Sequence, residues 1–369
     1  MMKSIKIPGW SLCSTLFFLG TSLSLGAEAQ AGAAELPAFF TRFESFTYSE
    51  PQSVKDTVTD WGTTFDRGER QWSWARLELG FRVRQFEFSL IQRADYDLRF
   101  NSRAAELWGR IDRKKPLEAG QSTDIQISTE ALHATGLRLG YRHDSDIFSV
   151  GFGLTIWRAN YLVDGRLEGD VHVVASKDYD FAAKVDYVYS EDLLFDRPDV
   201  DDPAGEGYSL DVQGQWRVND QWSLAIRAED LLARIRWKEA PYTDAVASSR
   251  RKTYDKNGYV NLKPVLSGYE YYRDHTQKLS ARVHLGSEYR FDSHISGLLD
   301  VRHQFDQTLY AAGVGYRWSD QQRVEARYWL DNGAVELAWL RHGFGLSLAL
   351  DDWQLHRTRT LWLSLSYGY

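Results

Sequence analysis

The sequence predicts an all-β chain, an antiparallel transmembrane β-barrel of about 14 or 16 strands with long loops on one side. Three observations predict it. Apolar and polar residues alternate with a period of two over most of the chain, so each strand has one face for lipid and one for a polar interior. The N-terminus has the form of an export signal. Aromatic residues are abundant, with 14 Trp, 20 Tyr and 18 Phe against 8 Pro, which suits a barrel girdled by aromatics at both membrane interfaces.

Lys3 and Lys6 precede an apolar run over 12–25, and Ala27-Glu28-Ala29 supplies a small-x-small cleavage site. Cleavage is expected after Ala29, with Ala31-Gly32-Ala33 as the next candidate. The chain then divides into a signal peptide (1–29), an N-terminal segment (30–71) and a barrel (72–369). Cys13 is the only cysteine, and Trp10-Ser11-Leu12 before it lacks the small residue of a lipoprotein site, so no lipid anchor is expected. The mature chain would have no thiol, hence no disulfide and no cysteine-bound metal. Losing Lys3, Lys6 and Glu28 removes a net +1 and takes the formal charge from −7 to −8. That balance argues against a nucleic-acid partner. No later run of roughly 18 apolar residues offers a helical span.

Residues 39–48 are aromatic-rich and read as a first strand or a short plug; 49–71 read as a polar loop. Ala75, Leu77, Leu79, Phe81 and Val83 then share one face. The phase shifts at Arg84-Gln85, and Phe86, Phe88 and Leu90 continue on even positions, as across a tight hairpin. Residues 101–124 read as a loop carrying Arg110, Arg113, Lys114 and Lys115 before Pro116. Leu137, Leu139 and Tyr141 precede a two-residue turn at Asp144-Ser145 that pairs Tyr141 with Phe148. Phe148, Val150, Phe152, Leu154 and Ile156 follow. Over 158–180, Asp164-Gly165 could turn a further hairpin. Phe181, Ala183, Val185, Tyr187 and Tyr189 alternate with Lys184 and Asp186, and the acidic stretch 196–206 reads as an exposed loop.

Leu210, Val212, Gly214 and Trp216 face Trp222, Leu224, Ile226 and Ala228 across a turn centred on Asn219. That register pairs Trp216 with Trp222 outside and Asp211 with Arg227 inside. Residues 239–277 form the longest polar insertion, a large loop with strand extensions. Beyond 279 the alternation is dense, through Leu285, Leu299, Val314, Val324, Leu337 and Leu348. Asn332-Gly333 is a hairpin signal, because both residues tolerate positive φ, and it pairs Leu330 with Val335. About fifteen strand candidates result; the even count usual for such barrels makes that about 14 or 16.

The chain ends Leu361-Trp362-Leu363-Ser364-Leu365-Ser366-Tyr367-Gly368-Tyr369, with leucines and tyrosines on one face and serines and glycine on the other. This strand resembles the C-terminal signature of Gram-negative outer-membrane β-barrels. The resemblance implies a place in the bacterial outer membrane, with membrane lipid and the barrel-assembly machinery as partners. Gly207-Tyr208-Ser209-Leu210-Asp211-Val212, Asn219-Asp220-Gln221-Trp222-Ser223-Leu224, Asp230-Leu231 and Ile235-Arg236-Trp237 also resemble a hairpin of fatty-acid-transporter-like and conjugal-transfer-related barrels. That likeness covers 207–237 only and implies a transport barrel of about 14 strands; it carries no solute class.

Charge on a lipid-facing strand costs roughly 2–4 kcal/mol for Arg or Lys near the midplane, so the ionised set must face the lumen. The expected pore-lining residues are Arg138, Arg142, Asp186, Asp211, Arg217, Arg227, Arg282, Glu288, Asp300, Arg302, Glu325 and Arg327. Charge rows of both signs could orient an ionic solute in a water-filled path, or neutralise one another in a plugged lumen. No HExxH, Gly-x-Ser-x-Gly or phosphate-binding loop occurs, so neither a metal, a cofactor nor catalysis is expected. A turn centred on Ser293 sets His284 opposite Arg302, which disfavours a cation there. Ser280 and His284, four residues apart on one strand, are roughly 13 Å apart, and His303 should point outward, so neither completes a hydrolase pair. The expectation is a channel for small polar or ionic solutes, with the 239–277 loop as constriction or lid. An occluded interaction barrel and a membrane-embedded hydrolase are the alternatives.

Overall fold

The computed structural model describes residues 37–192, 194, 200, 202–249, 252–262 and 265–368. The signal segment, part of the acidic stretch 196–206, Arg250-Arg251, Lys263-Pro264 and the terminal Tyr369 lie outside them.

Among the described residues eighteen strands run in order: β1 (Ala38–Ser49), β2 (Arg70–Val83), β3 (Phe86–Phe100), β4 (Ser122–Asp144), β5 (Phe148–Ala175), β6 (Asp178–Tyr189), β7 (Gly205–Arg217), β8 (Trp222–Ser248), β9 (Lys252–Tyr254), β10 (Val260–Leu262), β11 (Val265–Lys278), β12 (Arg282–Arg290), β13 (Ile295–Gln304), β14 (Gln307–Ser319), β15 (Gln322–Trp329), β16 (Val335–Arg341), β17 (Phe344–Leu350) and β18 (Thr360–Tyr367). Fourteen of them close a ring of antiparallel staves: β1 to β5, then β7, β8 and β12 to β18, with β18 pairing back onto β1. The aromatic stretch 39–48 is therefore wall, paired on both sides.

The staves differ in length. β4, β5 and β8 have 23, 28 and 27 residues, whereas β15 to β18 have 7 or 8. A tilted strand crosses the bilayer in about 9–11 residues, so one side of the barrel rises far beyond the lipid. There β6 is inserted between the outer parts of β5 and β8, and β11 continues the sheet. Within the bilayer the outward face is apolar: Leu137, Ile156, Leu299 and Val314 are 60–69% exposed. Beyond Ile156, β5 turns Arg158 outward and then Arg166, Glu168 and Asp170, all exposed, which marks where lipid gives way to water. Trp216, Trp222, Trp318, Trp339 and Tyr367 stay exposed near the opposite, tight-turn end, as an interfacial girdle. Short turns mark the periplasmic end of such barrels, so the tall side rises outside the cell.

Several registers differ from the sequence expectation. Arg84-Gln85 is the expected two-residue turn, with Val83 opposite Phe86. Tyr141, however, pairs with Phe152, because the turn spans 145–147 and Ser145 closes it onto Phe148. The next turn is centred one residue later than expected: Asn219 Oδ1 accepts from the N–H groups of Gln221 and Trp222 (2.9 and 2.8 Å), and Trp216 faces Leu224. Around Asn332 the loop widens to 330–334, with Gly333 at φ 70°, so Tyr328 rather than Leu330 meets Val335. Each slip preserves which residues face outward, because the alternation is read from the membrane and the turn only closes it.

Residues 164–165 do not turn; β5 runs straight through them. The 49–71 and 101–124 loops hold helices, α1 (Val54–Thr59) and α2 (Ser102–Asp112). α2 buries Ala104, Ala105, Leu107 and Gly109, and a Cβ at Gly109 would meet the Phe65 carbonyl at 2.1 Å. Above α2, the β9–β10 hairpin is tied down by Lys114–Asp255 (2.9 Å) and Lys252–Asp178 (2.9 Å). The 239–277 segment thus builds outer wall through β8 and β11 plus this small hairpin.

Candidate functional site

The inward positions sort by height into three layers. Near the periplasmic end they are small: Gly151, Ala225, Gly286, Ser296, Gly315, Gly345, Ser364 and Ser366. A cleft of about 360 Å³ opens there between the turns at 320–321 and 342–343, lined in part by Arg317, Arg323, His342 and Ser366.

At mid-height lies a belt of charge, and its centre is a distortion of β8. The ladder from β7 to β8 slips twice, between Tyr208 and Leu210 and between Leu210 and Val212. Asp230 and Leu232 take positive φ (61° and 56°). Glu229 and Asp230, successive in sequence, therefore both enter the lumen, and Leu232 turns outward, 72% exposed. Glu229 meets Arg42 of β1 and Arg76 of β2, each at 3.0 Å, and Arg282 of β12 at 3.8 Å. Asp230 meets Arg93 of β3 at 2.8 Å and Arg282 at 3.2 Å. Since β1 to β3 stand across the ring from β8, these bridges cross the lumen. Arg42 and Arg76 also hold Glu78 (3.0 and 3.5 Å), and Arg138 of β4 joins Glu87 (3.3 Å) to Asp211 of β7 (3.2 Å). None of these residues is more than 9% exposed. A lone buried charge costs several kcal/mol, so these residues are tolerable because each of them is paired.

The belt continues along the short side. Asp300 lies 2.7 Å from both His284 Nε2 and Arg327 Nε, and Arg327 reaches Glu325 at 2.6 Å. Arg227 meets Glu44 at 3.5 Å.

Above the belt the interior is mainly aromatic and aliphatic, with the buried Arg70–Asp97 pair (2.9 Å) set among the rings. On the short side Phe46, Trp72, Trp74, Phe305, Trp329 and Trp362 pack together; on the tall side Leu132, Trp157, Leu162, Ile235 and Trp237 do so. Belt cations cap this layer: Arg282 lies 4.9 Å from the Trp74 ring, Arg93 5.2 Å from Trp157, and Arg302 3.5 Å from Trp362.

Of the twelve sequence-derived residues, the structure gathers Arg138, Asp211, Arg227, Arg282, Asp300, Arg302, Glu325 and Arg327 at the belt. Glu288 lies lower, paired with Arg323 at 3.0 Å. Arg142, beside Asp144 (2.9 Å), and exposed Arg217 sit at the periplasmic rim. Asp186 is displaced: it is exposed on the outer face of β6, while Val185 and Tyr187 are buried. Above the membrane the outer face meets water, so the same alternation is read with the opposite sign. Asp211 pairs with Arg138, not Arg227, since the bulge shifts the register. Arg42, Arg76, Glu78, Arg93 and Asp230 were missed; the parity of Arg76 and Glu78 against Leu77 and Leu79 signals two of them, whereas Asp230 breaks parity. His284 does stand opposite Arg302. His303 is exposed, with Nδ1 2.9 Å from Thr308 Oγ1, and among the described hydrogen bonds neither histidine reaches Ser280. Among the described residues no group of three or more His, Cys, Asp or Glu could hold a metal.

A closed ring of 14 antiparallel staves, apolar outside and charged within, defines an integral β-barrel of the bacterial outer membrane. The chain is similar in fold to the Pseudomonas putida toluene transporter TodX, at 9% identity, covering 91% of each chain with a TM-score of 0.43. It is also similar to the Ralstonia pickettii toluene transporter TbuX (10% identity, 89% of this chain and 87% of that one, TM-score 0.30). A Pseudomonas aeruginosa FadL homologue gives 12% identity, 90% of each chain and a TM-score of 0.29. No family model and no curated protein matches the chain.

Proposed function

We propose that this barrel is a gated channel that takes up small, largely apolar molecules from outside the cell, with the charge belt as its gate. The order of the layers supports this reading: an aromatic and aliphatic layer toward the outer mouth, a paired belt, then a small-residue vestibule. Indole and phenyl walls favour planar apolar solutes through dispersion and ring stacking. Cations resting on those rings couple the two layers, because a solute that takes the place of Arg282 or Arg302 on an indole loosens the belt. Toluene, the solute named for two of the similar structures, belongs to the same chemical class; the reading rests on the lining of this chain.

A second reading, passage of small polar or ionic solutes, is favoured by the cations around the vestibule, Arg217, Arg317 and Arg323. The two separate in solution. Bromobenzene quenches indole fluorescence on contact, so titrating the folded, detergent-solubilised protein should give saturable quenching, weakened in a Trp329→Phe/Trp362→Phe variant. Arabinose should give none. Absence of saturable quenching, with ion-selective current from the same preparation, would replace the first reading by the second. Absence of both would leave an occluded barrel acting through its surface.

A further inference from the structure

Just above the outer edge of the lipid band, the outer wall carries five exposed cations: Arg158 on β5, Arg234, Arg236 and Lys238 on β8, and Lys278 on β11. The ladder sets them side by side, with Arg158 opposite Glu206, Glu206 opposite Arg236, and Arg234 opposite Lys278. Neighbouring strands are about 4.8 Å apart and same-face residues about 7 Å apart along a strand, so the guanidinium and ammonium groups converge on one patch. Among the described residues none of the five has an ion pair within 4.0 Å. The nearby acids are Glu206, within the patch, and Glu239 and Asp274 at its upper rim. Ile156 (65%) and Tyr208 (46%), in the same ladder row as Arg234, and Leu232 (72%), next below Arg234 on β8, project outward. Leu232 does so because of its positive φ.

We infer that this patch binds the phosphorylated headgroup of an outer-leaflet glycolipid, with its acyl chains lying on Ile156, Tyr208 and Leu232. Three features carry the inference. The cations stand at the height where lipid phosphates lie. Among the described residues they have no ion pair within 4.0 Å, whereas Arg42, Arg76, Arg93, Arg138 and Arg282 inside the barrel all do. They border an apolar shelf, so headgroup and chain are recognised together. A soluble anion would use only the upper half of this surface.

The test uses the whole folded protein in detergent, titrated with bis-phosphorylated lipid A and, separately, with its dephosphorylated form, followed by native mass spectrometry. Each Lys or Arg near an anionic membrane surface contributes about fivefold in affinity. Arg234→Gln/Arg236→Gln/Lys278→Gln should therefore weaken lipid A binding on the order of 100-fold. Lys184→Gln, higher on the same outer surface, should leave it unchanged. Heat-modifiable gel mobility confirms that each variant is folded. Leu232→Ser should weaken lipid A binding while leaving any binding of inorganic phosphate untouched. Equal affinity for the dephosphorylated lipid, or a folded triple variant that binds lipid A as the parent does, would overturn the assignment.

Discussion

The two sides of the barrel are built from the same alternation and mean opposite things by it. From β13 to β18 the strands have 7 to 13 residues, no more than the membrane needs, and their alternating leucines, valines and tyrosines face lipid, with Trp329 and Trp362 turned inward. From β3 to β8 the strands continue outward, and past Arg158 on β5 the apolar residues turn inward, as Val171, Val173, Val185 and Tyr187 show by being buried. Period two says only that a strand has two faces; the medium on each side says which one is apolar.

The largest effect that sharpens this contrast lies at the belt. Glu229→Ala strips a partner from Arg42, Arg76 and Arg282 and should cost about 3–5 kcal/mol in urea unfolding from detergent, the scale for a broken buried pair. Glu288→Ala, in the partly exposed pair with Arg323 on the short side, should cost about 1 kcal/mol or less. Equal losses would remove the distinction between belt and vestibule.

The next effect concerns the outer face. Leu299→Arg puts charge into lipid and should cost about 2–4 kcal/mol, whereas Glu168→Arg, on the same face above the membrane, should stay within about 0.5 kcal/mol. A smaller change follows inside the extension: Val185→Ala should cost about 2 kcal/mol, seen as faster amide exchange along β6, while Asp186→Ala leaves exchange there unaltered.

The smallest concerns the hairpin over α2. The Lys114 ammonium and the N–H groups of Tyr259 and Asn257 hold the partly exposed Asp255 carboxyl down to about 2. A depressed carboxyl stabilises above its ordinary range and loses that contribution as pH falls through about 2. Amide exchange over 252–262 should therefore keep its protection from pH 7 to roughly 5 once intrinsic exchange is corrected for. Lys114→Ala should move the loss upward; protection that fades near pH 6 in the parent would contradict the tie.

Much of this architecture was legible beforehand, for definite reasons. The Arg84-Gln85 turn and the His284–Arg302 opposition follow from parity within single hairpins. Eight of the twelve predicted lumen residues reach the belt because lipid forbids them the other face. Asp186 could not be placed without knowing that its strand stands above the membrane. Asp230 could not be placed because a bulge puts two successive residues on one side, which no periodic reading yields. The crossing partners Arg42 and Arg93 depend on which staves face one another across the ring, and that is a property of closure, absent from any one strand.

The central claim is that ion pairs between β8 and the opposite wall hold the lumen shut. Planar-bilayer recording of the purified protein tests it directly. The parent should show no steady open level, and a folded Glu229→Gln/Asp230→Asn variant should open in resolvable steps. Steady conductance in the parent, left unaltered by that double substitution, would contradict the account.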